Sequence, residues 1–353
     1  MAYTTINDPT KYFNTSLYTG DYESGGAIKK TQAIIGLGFQ PDLNWIKNRE
    51  PGDDWHIVTD SSRGVTKNIF PNDDADEVTH TERIKSLDSD GFTIGNDINV
   101  NTTDETFVSW NWKANGGTTT SGGGNDTVST SAYQANTTAG FSIVTYTGTG
   151  SAATVAHGLG VAPQVVLVKR RDGSDASWDM YHASIDETDA AQLDTTAAFY
   201  DSATYWNDTA PTSSVFTVGS SSETNQSGQL HVAYCWAPIQ GYSNFGSYTG
   251  NGNSAGTFVY TGFKPAWLMI KRADSTNDWA IYDNKRDLNG NDKILKANAT
   301  EAEDTASETD LLSNGFKMRS TSLRHNASDA TYVYLAFAEA PFVTSNGSPN
   351  NAR

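Results

Sequence analysis

Three times along the chain, a run of apolar residues follows a proline, gives way to polar turn residues, and resumes as an alternating segment. The clearest copy reads Gly262-Phe-Lys-Pro265-Ala-Trp-Leu-Met-Ile-Lys271-Arg272, a polar stretch at 273–278, then Trp279-Ala-Ile-Tyr-Asp283. Earlier copies are anchored on Pro41 and Pro163. A lysine stands six residues after each proline (Lys47, Lys169, Lys271), and a tryptophan follows the proline by 14, 15 and 14 residues (Trp55, Trp178, Trp279). Recurrence at this spacing defines a repeat. Each copy predicts a β-hairpin. Its outgoing strand is apolar at Leu43, Trp45 and Ile46, at Val165, Leu167 and Val168, and at Trp267, Met269 and Ile270. Apolar residues on both faces predict a central strand covered on both sides. The returning strand alternates, which places Trp55/Ile57, Trp178/Met180 and Trp279/Ile281 on one face.

The repeat extends beyond the hairpin. Tyr-Thr-Gly precedes each copy, at Tyr18, Tyr146 and Tyr248, and an aromatic strand closes it: Phe107-Val-Ser-Trp-Asn-Trp112, His231-Val-Ala-Tyr-Cys-Trp236 and Tyr332-Val-Tyr-Leu-Ala-Phe337. From proline to last aromatic the count is 71, 73 and 72. Short strands, turn residues between them and no sustained helical period predict an all-β chain. The expected fold is three tandem antiparallel β-sandwich repeats of jelly-roll type, each of about 100 residues, an ordinary domain size. The expected boundaries are a lead at 1–11, repeats at 12–114, 139–241 and 242–342, a Gly/Thr/Ser-rich connector at 115–138, and a polar tail at 343–353. The lead, with Tyr3-Thr-Thr-Ile6, is expected to add a strand or to meet a neighbouring protein.

Charge narrows the partners. The formal net charge of −17 over 353 residues argues against nucleic acid, whose phosphates require Lys and Arg patches. No apolar run is long enough to span a bilayer as a helix, and the N-terminus lacks the basic-then-apolar pattern of a signal peptide. Cys235 is the single cysteine and reads as a small buried residue in an apolar strand.

No catalytic constellation emerges. The six histidines form no metal-spaced pair, and there is no His-Glu-x-x-His. Gly252-Asn-Ser254-Ala-Gly256 matches a nucleophile elbow only formally, since an extended segment follows where a helix is required. Gly148-Thr-Gly150-Ser-Ala-Ala153 fails as a dinucleotide fingerprint for the same reason. Asp60/Arg63 and Asp283/Arg286 share a frame and read as a structural ion pair or loop clasp. The acidic loop Asp73, Asp74, Asp76 and Glu77 groups hard oxygen ligands and is the candidate Ca²⁺ site, although its spacing lacks the order of a calcium loop and a solvated loop explains it as well. The repeated tryptophans alternate with apolar residues and read as core, whereas Tyr205 and Trp206 lie in an irregular loop and are the candidate exposed ligand-binding pair. Lys47, Lys169 and Lys271 read as solubilising charges flanking the hairpins.

Tyr3-Thr-Thr-Ile6, the run from Gly38 to Arg49, Asp60-Ser-Ser-Arg-Gly64, Ser89-Asp-Gly-Phe92 and Phe107-Val-Ser-Trp-Asn-Trp-Lys113 together resemble a repeat found in structural proteins of marine bacteriophages. The second copy departs most, lacking Asp-x-x-Arg and the glycine before Phe216. The resemblance implies a tail-fibre-like or lectin-like virion component, assembled in the host cytoplasm, with other virion proteins and a host-surface glycan as partners. It supplies no catalytic residues and no cofactor. Such components are symmetric homo-oligomers, and a trimer is one arrangement compatible with that expectation. The leading expectation is an exposed fibre whose hairpin loops 48–54, 170–177 and 272–278 contact the host. The alternatives are head decoration or a tail adaptor, which needs an apolar anchoring surface, and a glycan-degrading enzyme, which needs paired carboxylates in a cleft.

Overall fold

A computed structural model describes residues 3–22, 30–52, 54–123, 125–286 and 292–350. The chain is all-β, built from antiparallel sheets. Three larger sheets, one per lobe, share a strand order. In each, an opening strand (Phe13–Thr19, Phe141–Thr147, Ser243–Thr249) lies beside a closing strand (Thr106–Trp112, Leu230–Trp236, Thr331–Pro341). Then come the outgoing strand of the hairpin (Leu43–Asn48, Val165–Arg170, Phe263–Arg272) and the returning strand (Ile57–Asp60, Trp178–His182, Ala280–Asp283). A smaller sheet backs each large one, for example Phe258–Tyr260, Gly315–Met318 and Thr309–Leu312 in the third lobe.

Every large sheet is covered on both faces, as its doubly apolar outgoing strands require. One face packs on the lobe's own small sheet; Ile46, Phe92 and Phe107 fill this space in the first lobe, and Ile270, Phe316 and Tyr334 in the third. The other face enters one core common to all three lobes, where Trp45, Trp110 and Trp112 meet Leu167, Tyr234 and Trp236, and Trp267, Met269 and Phe337. Phe13 of the first lobe stacks on Phe337 of the third at 5.3 Å, and Trp112 meets Trp236 at 6.3 Å and Trp267 at 5.7 Å. The lobes therefore bury their aromatic faces against one another.

The Tyr-Thr-Gly motif has a physical cause. Each tyrosine hydroxyl donates to a distant carbonyl (Tyr18 to Val100, Tyr146 to Thr224, Tyr248 to His325). Each glycine lies so close to the same segment that an added Cβ would come within 2.2–2.3 Å of a backbone oxygen.

Two stretches differ from expectation. The lead forms no strand: Thr4 and Ile6 are buried, Ile6 joins the shared core, and the Tyr3 hydroxyl donates to the Gly262 carbonyl. Its apolar residue is more favourably spent filling the seam between the first and third lobes. The stretch expected as a connector carries strands Thr120–Ser121 and Thr130–Asn136, and the second of these pairs along the opening strand of the second lobe, extending that sheet to eight strands. Thr and Ser suit such an edge position, where they hydrogen-bond across strands, as Thr130 and Thr147 do.

Candidate functional site

The functional-looking side chains converge at the seams between lobes. Register makes the seams comparable: Leu43, Val165 and Trp267 pair with Asp60, His182 and Asp283, which therefore occupy matching positions. At the seam of the first and second lobes, Arg63 donates from Nε to Asp60 at 2.5 Å and from Nη1 to Glu77 at 2.9 Å. Arg171 of the second lobe grips the same Glu77 through Nε and Nη2, and the Tyr234 hydroxyl donates to Asp60 at 2.6 Å. At the seam of the third and first lobes, Arg286 pairs with Asp283 and Glu303, Arg49 grips Glu303, and Trp110 Nε1 donates to Asp283 at 3.0 Å. Burial alone would raise the carboxyl pKa of Glu77 and Glu303, but the two arginines on each outweigh it and hold both below the ordinary value. The expected Asp-x-x-Arg clasp is therefore present, and it reaches across lobes.

The third seam performs the same task without charge. His182, Ile185, Phe199 and Ala273 stand where the first seam has Asp60, Arg63, Glu77 and Arg171, and Leu335 replaces Tyr234. The backbone contact is kept: Glu77 donates to the Arg171 carbonyl, Glu303 to that of Arg49, and Phe199 to that of Ala273. His182 Nε2 lies 3.3 Å from the Tyr334 carbonyl, and burial lowers this imidazole to a pKa of about 4, so it is neutral at pH 7.

A second set of contacts runs round the ring. Trp178 Nε1 donates to the Phe70 carbonyl of the first lobe, and Trp279 Nε1 to Gln192 of the second. The matching residue in the first lobe is His56, not Trp55: Ile57, not the tryptophan, faces Ile46 in the pairing. His56 Nδ1 accepts from Trp45, which leaves Nε2–H to donate to the Lys296 carbonyl at 3.0 Å. The expected face is thus wrong by one residue in this copy: Val58, rather than Ile57, joins the shared core, and Trp55 packs on Phe70. A one-residue offset exchanges the faces of a strand.

The hairpin lysines differ from expectation as well. Lys47, Lys169 and Lys271 are fully buried. Their ammonium groups donate to loop carbonyls, Lys169 to Asp74 and Ala176, Lys47 to Asn48, and Lys271 to Arg272. Burial lowers each to about 8. The start of each hairpin loop is tied to the adjoining lobe, since residues 49, 171 and 273 accept hydrogen bonds from it, while Pro51, Gly52, Gly173, Ser174, Asp175 and Asp274 remain exposed.

Trp206, expected to be exposed, is 1% exposed and packs on Tyr181 in the core of the second lobe. It lies on the short turn Ala203–Trp206, which directs the indole inward because the apolar ring gains more by burial than by facing water. Tyr205 packs half-buried beside Tyr200. Of the acidic loop, Glu77 is taken by arginines, and Asp73 accepts from the backbone of Ala75. Among the described residues no three His, Cys, Asp or Glu side chains are placed to hold a metal ion.

Sequence reading passed over one buried acid. Asp179 sits in the second lobe where the others place Ile57 and Ala280, and neither of its oxygens accepts a hydrogen bond. Burial first, then the neighbouring Glu223 carboxylate, push its pKa well above the ordinary value. The signal was a polar residue at an otherwise apolar repeat position. Glu223 reaches the surface in a polar recess of about 430 Å³ with Arg170, Ser174 and Ser222. Arg170 spends its guanidinium on the carbonyls of Ser174, Asp175 and Ser222.

Fold and seams together define a three-lobed all-β protein whose charged and aromatic residues hold its lobes to one another. The family described as Domain of unknown function (DUF7483) matches residues 8–341, and the chain belongs to it. Comparison with curated proteins and with solved structures returns no match.

Proposed function

We propose that the chain is a structural protein of a bacteriophage particle, an exposed tail fibre or appendage that contacts the host surface, with other virion proteins as its partners. The observation that carries this reading is the closed set of interlobe contacts around one aromatic core. Asp60, Asp283, Glu77 and the three hairpin lysines are spent on internal contacts, which suits a mechanical element of a particle. Arg49, Asp60, Arg63 and Trp110 of the phage-like motifs lie at these seams. Head decoration or a tail adaptor is the second reading, and it calls for a free apolar anchor; burial of Thr4 and Ile6 in the seam leaves the lead less suited to that task. The proposal includes no catalysis and no cofactor, and it places further copies of the chain, as a trimer, in the assembly. Immunogold labelling of purified particles tests it. Gold at the distal tail is expected; gold over the head would replace the fibre with decoration, and unlabelled particles would overturn the virion reading.

A further inference from the structure

Among the described residues, two aromatic side chains are exposed: Phe258 at 45% and Tyr260 at 54%. Both lie on the strand Phe258–Tyr260 and, two residues apart, project from one face about 7 Å from each other. Val259 between them points inward to the lobe's core, so this is the outer face of the small sheet. Register supplies their neighbours. Phe258 is opposite Lys317, which is opposite Asp310; Tyr260 is opposite Gly315, which is opposite Leu312. Gly315 is buried tight against the Val259 carbonyl, while Lys317 and Asp310 line the adjoining row, with Arg319 paired to Asp310 at 3.3 Å. The Tyr260 ring is held in place: the Tyr3 hydroxyl donates to the Gly262 carbonyl, leaving Tyr260 to donate to the Tyr3 oxygen at 3.1 Å.

The other lobes lack this surface. The pairing places Ala33 and Ile35 at the matching positions of the first lobe and Thr154 and Ala156 in the second. In the second lobe the added segment closes the edge, since Thr127 donates to the Thr154 carbonyl and Thr154 donates back to the Thr127 hydroxyl. Among the described residues, the aromatic side chains in the exposed class all lie in the third lobe.

We propose that this platform binds a neutral sugar chain, with Phe258 and Tyr260 stacking on pyranose faces and Lys317, Asp310 and Arg319 hydrogen-bonding to ring hydroxyls. The size of the patch selects this occupant. Two half-exposed rings offer on the order of 200 Å², far below the roughly 800 Å² per partner of a stable protein interface, yet they match one or two sugar rings. Charge selects it further: a chain of net charge −17 repels polyanions, and the platform carries both signs, so uncharged hydroxyl-rich ligands are favoured. The assignment rests on the host-contact reading and moves its glycan site from Tyr205 and Trp206 to the third lobe.

The test uses the full chain with neutral hexasaccharides of glucose, mannose, galactose and N-acetylglucosamine, read by titration calorimetry, together with binding of the labelled chain to host cells. Phe258→Ala and Tyr260→Ala each remove an exposed ring and are expected to keep the unfolding midpoint; Ile35→Ala in the first lobe is the control. Expected is binding of at least one hexasaccharide, weakened about tenfold by either ring deletion and unchanged in the control, with cell binding reduced in parallel. No hexasaccharide binding, or binding indifferent to both ring deletions, overturns the site. Cell binding that persists in both variants overturns the site while sparing host contact, whereas a wild-type chain that binds no cells removes the host-contact reading itself. Variants that bind sugars normally but fail to enter particles would make the patch a protein contact and also overturn the proposal.

Discussion

Asp179 occupies a position that its counterparts fill with Ile57 and Ala280, and it is buried beside Glu223. An acid whose folded pKa is raised contributes its full stability below the unfolded value, near 4, and loses it as pH rises through the folded value. At neutral pH the group is therefore a burden on the fold. Asp179→Ala, which installs the residue of the third lobe, is expected to stabilise the chain by about 1–3 kcal/mol at pH 7.5 and to have little effect at pH 4.5. Urea midpoints at the two pH values check this. A variant less stable at pH 7.5 than at pH 4.5, relative to the parent, would mean that Asp179 works as a charged group.

At the scale of elements, two seams use a buried Asp–Arg–Glu–Arg network and the third uses His182, Ile185, Phe199 and Ala273 on the same backbone contact. Removing one partner from a buried charge network strands the rest, whereas exchanging the whole set for apolar groups can be neutral. Arg63→Ala, which takes from buried Asp60 its cationic partner and from Glu77 one of its two arginines, is expected to cost about 3–5 kcal/mol. Converting Asp60, Arg63, Glu77, Arg171 and Tyr234 together to His, Ile, Phe, Ala and Leu is expected to cost less than that single change. Denaturant melts of the two variants decide it, and a five-site variant weaker than Arg63→Ala would sink the equivalence. The same seams show what sequence could and could not reveal. Hairpins, closing strands and doubly covered sheets were legible because apolar period and turn chemistry are local. Asp60 and Arg63 were legible as a clasp because they lie three residues apart. Glu77 with Arg171, or Trp110 with Asp283, were not, because each joins residues far apart in the chain. The lysines were misread because a charged residue at a strand end looks solvated until loop carbonyls fold over it, and His56 was overlooked because the adjacent Trp55 imitates the spacing of its counterparts.

For the whole molecule, the largest apolar cluster belongs to no single lobe. Cutting out residues 242–342 would expose Trp267, Met269, Trp279 and Phe337 together, a patch no soluble domain keeps. The intact chain is therefore expected to unfold in a single calorimetric transition, and the isolated third lobe to aggregate or remain unfolded. Separate transitions for the lobes, or a soluble, cooperatively folding third lobe, would show that the shared core is dispensable. Cooperativity of this kind suits the proposed mechanical role, since a load on one lobe is borne by all three.

The meeting of Asn7 with Ser345, each donating to the other across 338 residues, bears on how the protein comes into being. A ribosome adding about 5–20 residues per second has Trp110 and Trp112 in place roughly 6–26 s before it begins the third lobe. Throughout that interval the nascent chain carries a sticky aromatic surface whose third-lobe partners, Trp267 and Phe337, are not yet made. Slow translation thus prolongs a hazardous adolescence, and production in a foreign host should respond more to chaperone supply than the stability of the finished protein would suggest.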